Sequence, residues 1–178
     1  MEQTKITAFE KEIGYTFSDK QHLVLALTHS SYANEHGMDK TMCNERLEFL
    51  GDAIVDLAAS DWLFRNLPDS QEGVLTKLRA SVVCEGSFAQ LAREMHFGDY
   101  ILLGKGEEAT GGRTRASVLA DCFEAVIAAI YLDSDLKTVL PGRRRICKKP
   151  CSRPKAGKPR RITKPFCRKK RRRAKMVA

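Results

Sequence analysis

The sequence predicts an all-α domain over residues 1–140, followed by a basic tail at 141–178 that is disordered when free. Three observations point to this. Period-two alternation of apolar residues is almost absent, so strands are not expected. Apolar residues recur instead at helical spacing through most of the first 140 positions. After Leu140 that pattern stops: PGRRRICKKPCSRPKAGKPRRITKPFCRKKRRRAK has several prolines, no acid and no apolar period. Such a segment buries too little surface to offset its chain entropy.

Taken in order, Phe9, Ile13 and Phe17 open the core. Beyond Ser18-Asp19-Lys20, residues Leu23, Leu27 and Tyr32 fit one helix started by a Ser or Asp cap. Residues 34–41 are polar, contain Gly37 and read as a loop. A long helix follows from about 43 to 66, with Leu47, Leu50, Ile54 and Leu57 as its buried stripe and Leu67-Pro68-Asp69 as its stop. Glu72 opens a helix that continues through Leu75, Leu78 and Val82. Ser87 caps the next, which places Phe88, Leu91 and Met95 on one face. Residues 98–112 form a Gly-rich connection carrying Ile101 and Leu102, and a last helix spans about 115–132, enriched in Val118, Phe123, Val126, Ile127 and Ile130.

Charge divides the chain at the same place. Residues 1–140 hold 13 lysines and arginines against all 22 acids, a net of −9, whereas residues 141–178 hold the other 18 and no acid, a net of +18. An acidic body with a basic tail implies a polyanionic partner engaged partly through the tail. No stretch approaches the ~18 apolar residues of a membrane span. The acid-bearing start MEQTKITAFEKEIG is not a secretory leader, so a soluble, cytoplasmic protein without a membrane partner is expected. Cys43, Cys84 and Cys122 stand singly in helical sequence and read as reduced thiols. In the tail, Cys147, Cys151 and Cys167 supply three thiolates, but no His or acid offers a fourth ligand, so zinc is not expected there.

Two short stretches carry the chemistry. NERLEFLGDA (44–53) places Glu45, Glu48 and Asp52 at i, i+3 and i+7, and ADCFEA (120–125) places Asp121 and Glu124 at i and i+3. Each set falls along one helix face, beside core residues. Acids so flanked are costly to bury unless a cation neutralises them, and an all-oxygen donor set favours Mg²⁺ over zinc. The bland reading is two amphipathic helices whose acids face water. At a rise of ~1.5 Å per residue, Glu45 and Asp52 stand ~10 Å apart along the axis, Glu48 and Asp52 ~6 Å, and Asp121 and Glu124 ~4.5 Å. Four acids from two crossing helices can therefore converge. Spacing alone would equally permit Glu45 with Glu48.

NERLEFLGDA with the later D-x-x-E helix resembles the signature of the ribonuclease III family of double-stranded RNA endonucleases. LTHSSYANE (27–35), EGVLTKLRASVV (72–83), LGKGEEATGGRTRASVLAD (103–121) and EAVIAAIYLDSD (124–135) match it in the expected order, so the resemblance covers roughly residues 8–139. It implies the all-helical ribonuclease III endonuclease-domain fold for residues 1–140. It also selects among the acids. Glu48, Asp52, Asp121 and Glu124 occupy the family's metal positions, with Asp52 and Glu124 most directly catalytic, while Glu45 and Glu72 match supporting acids of the cleavage valley. Phe49 matches a residue that enters a socket on a second subunit; core packing is its other reading. His29 in LTHSSY reads as a structural residue or an RNA contact rather than a general base, and Lys77 and Arg79 as phosphate contacts, which surface salt bridges explain equally well.

The activity implied is a Mg²⁺-dependent (Mn²⁺ substituting) cut of double-stranded RNA. The products would be 5′-phosphate and 3′-hydroxyl ends with short 3′ overhangs, made by a homodimer in rRNA and mRNA processing without a small-molecule cofactor. Bacterial relatives continue with a double-stranded RNA-binding domain, and residues 141–178 show nothing of it. The alternative is a non-cleaving RNA-binding or ribosome-associated module of the same fold, which the four intact acids argue against.

Overall fold

The computed structural model describes residues 2–140, and the expectations for the basic tail, including Cys147, Cys151 and Cys167, lie outside the described residues. Among those residues the protein is all-α, with nine helices and one isolated parallel bridge, Thr28 to Leu102. The helices are α1 (Gln3–Ile13), α2 (Lys20–Ala26), α3 (Ser30–Glu35), α4 (Glu45–Asn66), α5 (Glu72–Val82), α6 (Glu85–Glu94), α7 (Lys105–Ala109), α8 (Ala116–Asp133) and α9 (Leu136–Val139).

Helix α8 is the axis of the core. Eleven of its residues are buried, from Val118 to Ile130, because α2, α4 and α6 all pack on it. Phe88 on α6 stacks on Phe123 with ring centroids 5.3 Å apart, and Phe9 on α1 meets Phe97 and Tyr100 at 4.9 Å each. The α4–α8 contact is the most extensive in the fold. It is also the closest: a Cβ built on Gly51 would lie 2.0 Å from the backbone oxygen of Glu124. No side chain fits there, so the two helix backbones touch.

That crossing corrects the expected stripe of α4. Leu47, Gly51, Ile54, Ala58 and Leu63 are buried, Leu50 is half-buried, and Leu57 is 50% exposed. A face that admits a neighbouring backbone takes Gly and Ala at its centre, and the bulkier Leu57 is displaced to the flank. Helix α5 keeps its expected span yet buries no residue, and Arg79 ties it to α4 by donating to Ser60 Oγ at 3.0 Å.

The single helix expected over Leu23, Leu27 and Tyr32 is two helices. Leu27 accepts from the Leu102 amide at 2.8 Å and His29 donates to the Leu102 carbonyl at 3.1 Å, so this backbone is committed to the bridge. Asp19 caps α2 by accepting from Gln21 N, as predicted, while the His29 ring caps α3 by accepting from Ser31 N. Helix α6 starts at Glu85 rather than at a Ser87 cap, because Cys84 is extended and Ser87 already lies in the first turn. The expected connection at 98–112 contains α7 and parts of two 3₁₀ turns, Phe97–Asp99 and Gly112–Thr114.

Carboxylates and one arginine fasten the irregular segments. Glu10 accepts from Phe17 N at 2.7 Å and Lys20 Nζ at 2.5 Å, and Asp133 accepts from Tyr15 Oη at 2.7 Å, Ser18 N at 2.9 Å and Asp19 N at 2.8 Å. Glu35 accepts from the amides of Lys105 at 2.8 Å and Gly106 at 3.2 Å, and Arg113 donates to the carbonyls of Gly98 at 2.6 Å and Ile101 at 2.9 Å.

Gly51→Ala tests the crossing. Alanine gains up to ~1 kcal/mol in helix propensity. The methyl meets backbone rather than a side chain that can turn aside, so overpacking of about 1–3 kcal/mol should win. A lower denaturant midpoint is expected, and an unchanged or higher one would show that α4 and α8 are not in backbone contact.

Candidate metal centre

Helices α4 and α8 bring acids from both signature stretches together. One carboxylate oxygen from each of Glu48, Asp121 and Glu124 can be chosen so that all lie within 4.8 Å of one another. These three side chains are partly buried. The distance follows from the crossing: Gly51 lies one turn after Glu48 on α4, and the backbone it touches is that of Glu124 itself. Asp121 precedes Glu124 by almost one turn of α8, on the same face.

The cost of the arrangement appears on Glu124. Burial, then the charges of Asp52, Asp121, Glu48 and Asp56, push its carboxyl up from 4.5 to about 8. A carboxyl that cannot ionise comfortably among other acids is one that a cation would relieve. Three to four oxygen donors, partly open to solvent and without nitrogen or sulfur, fit a hard divalent ion.

Asp52, expected within the metal set, is exposed and stands outside the tight group of three. Its charge is nevertheless the first of the acids acting on Glu124. Glu45 and Glu72 are exposed in the first turns of α4 and α5, where acids favour the helix dipole, and neither joins the group. Glu72 accepts from Thr76 Oγ1 at 2.7 Å.

Phe49 is 82% exposed, which removes its core-packing reading. His29 is half-buried and its Nδ1 is shared with Ser31 Oγ at 2.8 Å. Burial lowers its pKa, against the opposing charges of Glu107 and Glu45. Lys77 is exposed, whereas Arg79 is committed to the α4–α5 tie. Two residues at this centre went unremarked in the sequence. Gly51 sets the helix approach, and a glycine inside an otherwise apolar helix was the available signal. Asp56 adds charge near Glu124 from one turn beyond Asp52.

A ribonuclease-III-like family model matches residues 19–141. "Ribonuclease 3" of Bacillus cereus strain AH187 is 56% identical over 131 residues, covering 74% of this chain and 54% of the relative. The "Ribonuclease 3" of Bacillus anthracis strain CDC 684 gives the same figures, so the chain spans about half the length of these curated relatives. Two solved structures of the nuclease domain of ribonuclease III from Campylobacter jejuni superpose with TM-scores of 0.70 at 42% identity. They cover 75% and 78% of this chain and 90% and 89% of theirs, and one of them describes structural flexibility in a region involved in dimer formation. A fold of α4 crossed on α8 with the acids at their contact, matched over most of its length at this identity, places the chain in the ribonuclease-III-like family.

Proposed function

We propose that residues 1–140 form the catalytic body of a divalent-cation-dependent endonuclease that cuts double-stranded RNA. The convergence of Glu48, Asp121 and Glu124 within 4.8 Å carries this reading. A non-cleaving module has no need to hold three acids together where burial and mutual repulsion oppose it. Glu48, Asp121 and Glu124 would hold the ion, with Asp52 completing the set from the solvent side. Mg²⁺, or Mn²⁺ in its place, supplies charge neutralisation at the phosphate and activation of the attacking water.

The chain's own groups do the rest. Glu124, whose carboxyl the surrounding acids push up, would be held ionised by a bound cation, and Asp52 and Glu124 would act most directly on the phosphodiester. Glu45 and Glu72 line the valley further out, His29 and Lys77 contact the duplex backbone, and the exposed Asp52 side orients the site toward substrate. A-form RNA is read by shape, through phosphates and 2′-hydroxyls. Two copies related by a two-fold axis would place two sites across one duplex. Cuts on both strands would leave 5′-phosphate and 3′-hydroxyl ends with short 3′ overhangs, in rRNA and mRNA maturation in the cytoplasm.

Large apolar side chains left in water favour the second copy. Phe49, Leu57, Trp62 and Phe64 on α4 and Val74, Leu78 and Val82 on α5 are all exposed. Large apolar side chains exposed in this number on two neighbouring helices fit an interface. The segment 141–178, with 18 basic residues and no acid, would add sequence-independent affinity for phosphates. Among the described residues, no helix is long and apolar enough to cross a membrane.

Glu124→Gln keeps the shape and removes one anionic ligand. Cleavage of a long RNA duplex in Mg²⁺ should fall by orders of magnitude while gel-shift binding persists; turnover near that of the unsubstituted chain would refute the assignment. Glu48→Gln and Asp52→Asn should behave alike, and Glu45→Gln more mildly.

The raised Glu124 also predicts a pH dependence. In EDTA the folded protein retains a proton that the unfolded chain releases above about 4.5. This contribution to stability is complete below pH 4.5 and is lost as pH rises towards about 8. Denaturant midpoints should therefore fall across that window, and Mg²⁺ should reverse much of the fall at its upper end. Midpoints that are flat with pH in EDTA would mean that Glu124 is not held among unneutralised acids.

Phe49→Asp tests the dimer. An unpaired charge in a closed interface costs about 3–5 kcal/mol. Sedimentation at micromolar concentration should show monomers and loss of double-strand cutting. A dimer that survives the change would place the interface elsewhere.

A further inference from the structure

Only one nitrogen of the half-buried His29 ring is used by the fold. Nδ1 accepts from Ser31 N at 3.2 Å, which caps α3, and lies 2.8 Å from Ser31 Oγ. Ser31 Oγ itself accepts from Gly104 N at 2.9 Å, so the hydroxyl proton is free to go to Nδ1. A ring nitrogen that accepts from a backbone N–H carries no proton, so the neutral ring bears its proton on Nε2. Burial lowers the pKa of the ring and favours the same neutral form. The ring cannot turn over without giving up the cap of α3. Nε2 has no hydrogen-bond partner among the described residues, and it is not an enclosed atom. The result is an oriented N–H donor open to solvent. Since this nitrogen already holds its proton, it cannot serve as a general base.

The charges around that donor restrict what it can meet. Asn44 N donates to the Thr28 carbonyl at 2.8 Å, which ties the start of α4, with Glu45, to the segment carrying the ring. The bond from Gly104 N to Ser31 Oγ does the same for the start of α7, with Glu107. Both acids act on the ring, Arg115 opposes them, and Arg115 is itself paired with Glu107. Two acids and one base leave a net negative surround. A phosphate at Nε2 would be repelled by it. A hydroxyl would not: it is neutral, accepts from Nε2–H and keeps a proton to donate to a neighbouring acid. On a duplex backbone that hydroxyl is the ribose 2′-OH, the group by which a protein tells RNA from DNA.

We infer that His29 is a specificity-determining residue, which donates from Nε2 to a ribose 2′-hydroxyl and so favours RNA over DNA. This deepens, and rests on, the reading of the chain as an endonuclease for double-stranded RNA. It narrows the contact of His29 from the duplex backbone in general to one sugar oxygen.

The test is a coupling measurement on the full chain in Mg²⁺. An all-ribose duplex is compared with a set in which successive sugars carry 2′-deoxy in place of 2′-hydroxyl. His29→Asn keeps an oxygen acceptor at the cap of α3, where asparagine is favoured, and withdraws the donor at Nε2. With the unsubstituted chain, at least one deoxy position should lower kcat/KM about three- to tenfold, the effect of one neutral hydrogen bond. His29→Asn should show a similar loss on the all-ribose duplex, and that deoxy position should then bring no further loss. His29→Gln, which returns an amide donor near Nε2, should regain part of the sensitivity. A deoxy penalty as large at every position in His29→Asn as in the unsubstituted chain overturns the inference, and leaves a phosphate contact or a purely structural ring. So does an His29→Asn variant that cuts the all-ribose duplex as fast as the unsubstituted chain. If the unsubstituted chain cuts no RNA duplex in Mg²⁺, the endonuclease reading falls first and this inference falls with it.

Discussion

Helix α4 can approach α8 to backbone contact because Gly51 has no side chain, and the other features of the centre follow from that contact. The oxygen it admits belongs to Glu124. Once the backbones touch there, Glu48 on one helix and Asp121 and Glu124 on the other are brought together, whatever their mutual repulsion. The apolar burial along α8 supplies the force that holds them. Eleven buried residues on one helix contribute tens of kcal/mol of gross burial at about 25 cal/mol per Å², far more than a few clustered carboxylates oppose.

The same contact explains the mixed character of α4. Its inner face carries Gly51 at the contact, with Leu47, Ile54, Ala58 and Leu63 buried along it and Leu57 turned out. Phe49 and Phe64 are left in water, and α5 covers only part of what remains. The packing constraint that shapes the acid centre thus also leaves apolar surface beside it.

Irregular segments are held differently, by polar ties. The bridge between Thr28 and Leu102 stops α2 and lets the His29 ring cap α3. Glu35 and Arg113 clasp the Gly-rich stretch that leads into α8, and Glu107 pairs with Arg115 within it. These ties fix where α8 begins, and so how Asp121 meets α4. They place His29 beside Glu45 and Glu107, where burial and opposing charges act on one ring.

The sequence by itself determined the all-α class, the spans of α4, α5 and α8, and the acids carried by the two signature helices. Helical periodicity is local: residues three and four apart share a face whatever surrounds them. The ordered motifs added the family, which spacing could not, since Glu45 with Glu48 fitted the spacing equally well. Only the tertiary structure decided which oxygens meet. It grouped Glu48 with Asp121 and Glu124, left Asp52 outside that group, turned Leu57 out, put Phe49 in solvent and split the helix at Thr28. Each of these depends on how closely and at what angle two elements distant in sequence cross. That is set by what fits at the contact, here a glycine against a carbonyl and a bridge to Leu102, and a one-dimensional pattern does not contain it.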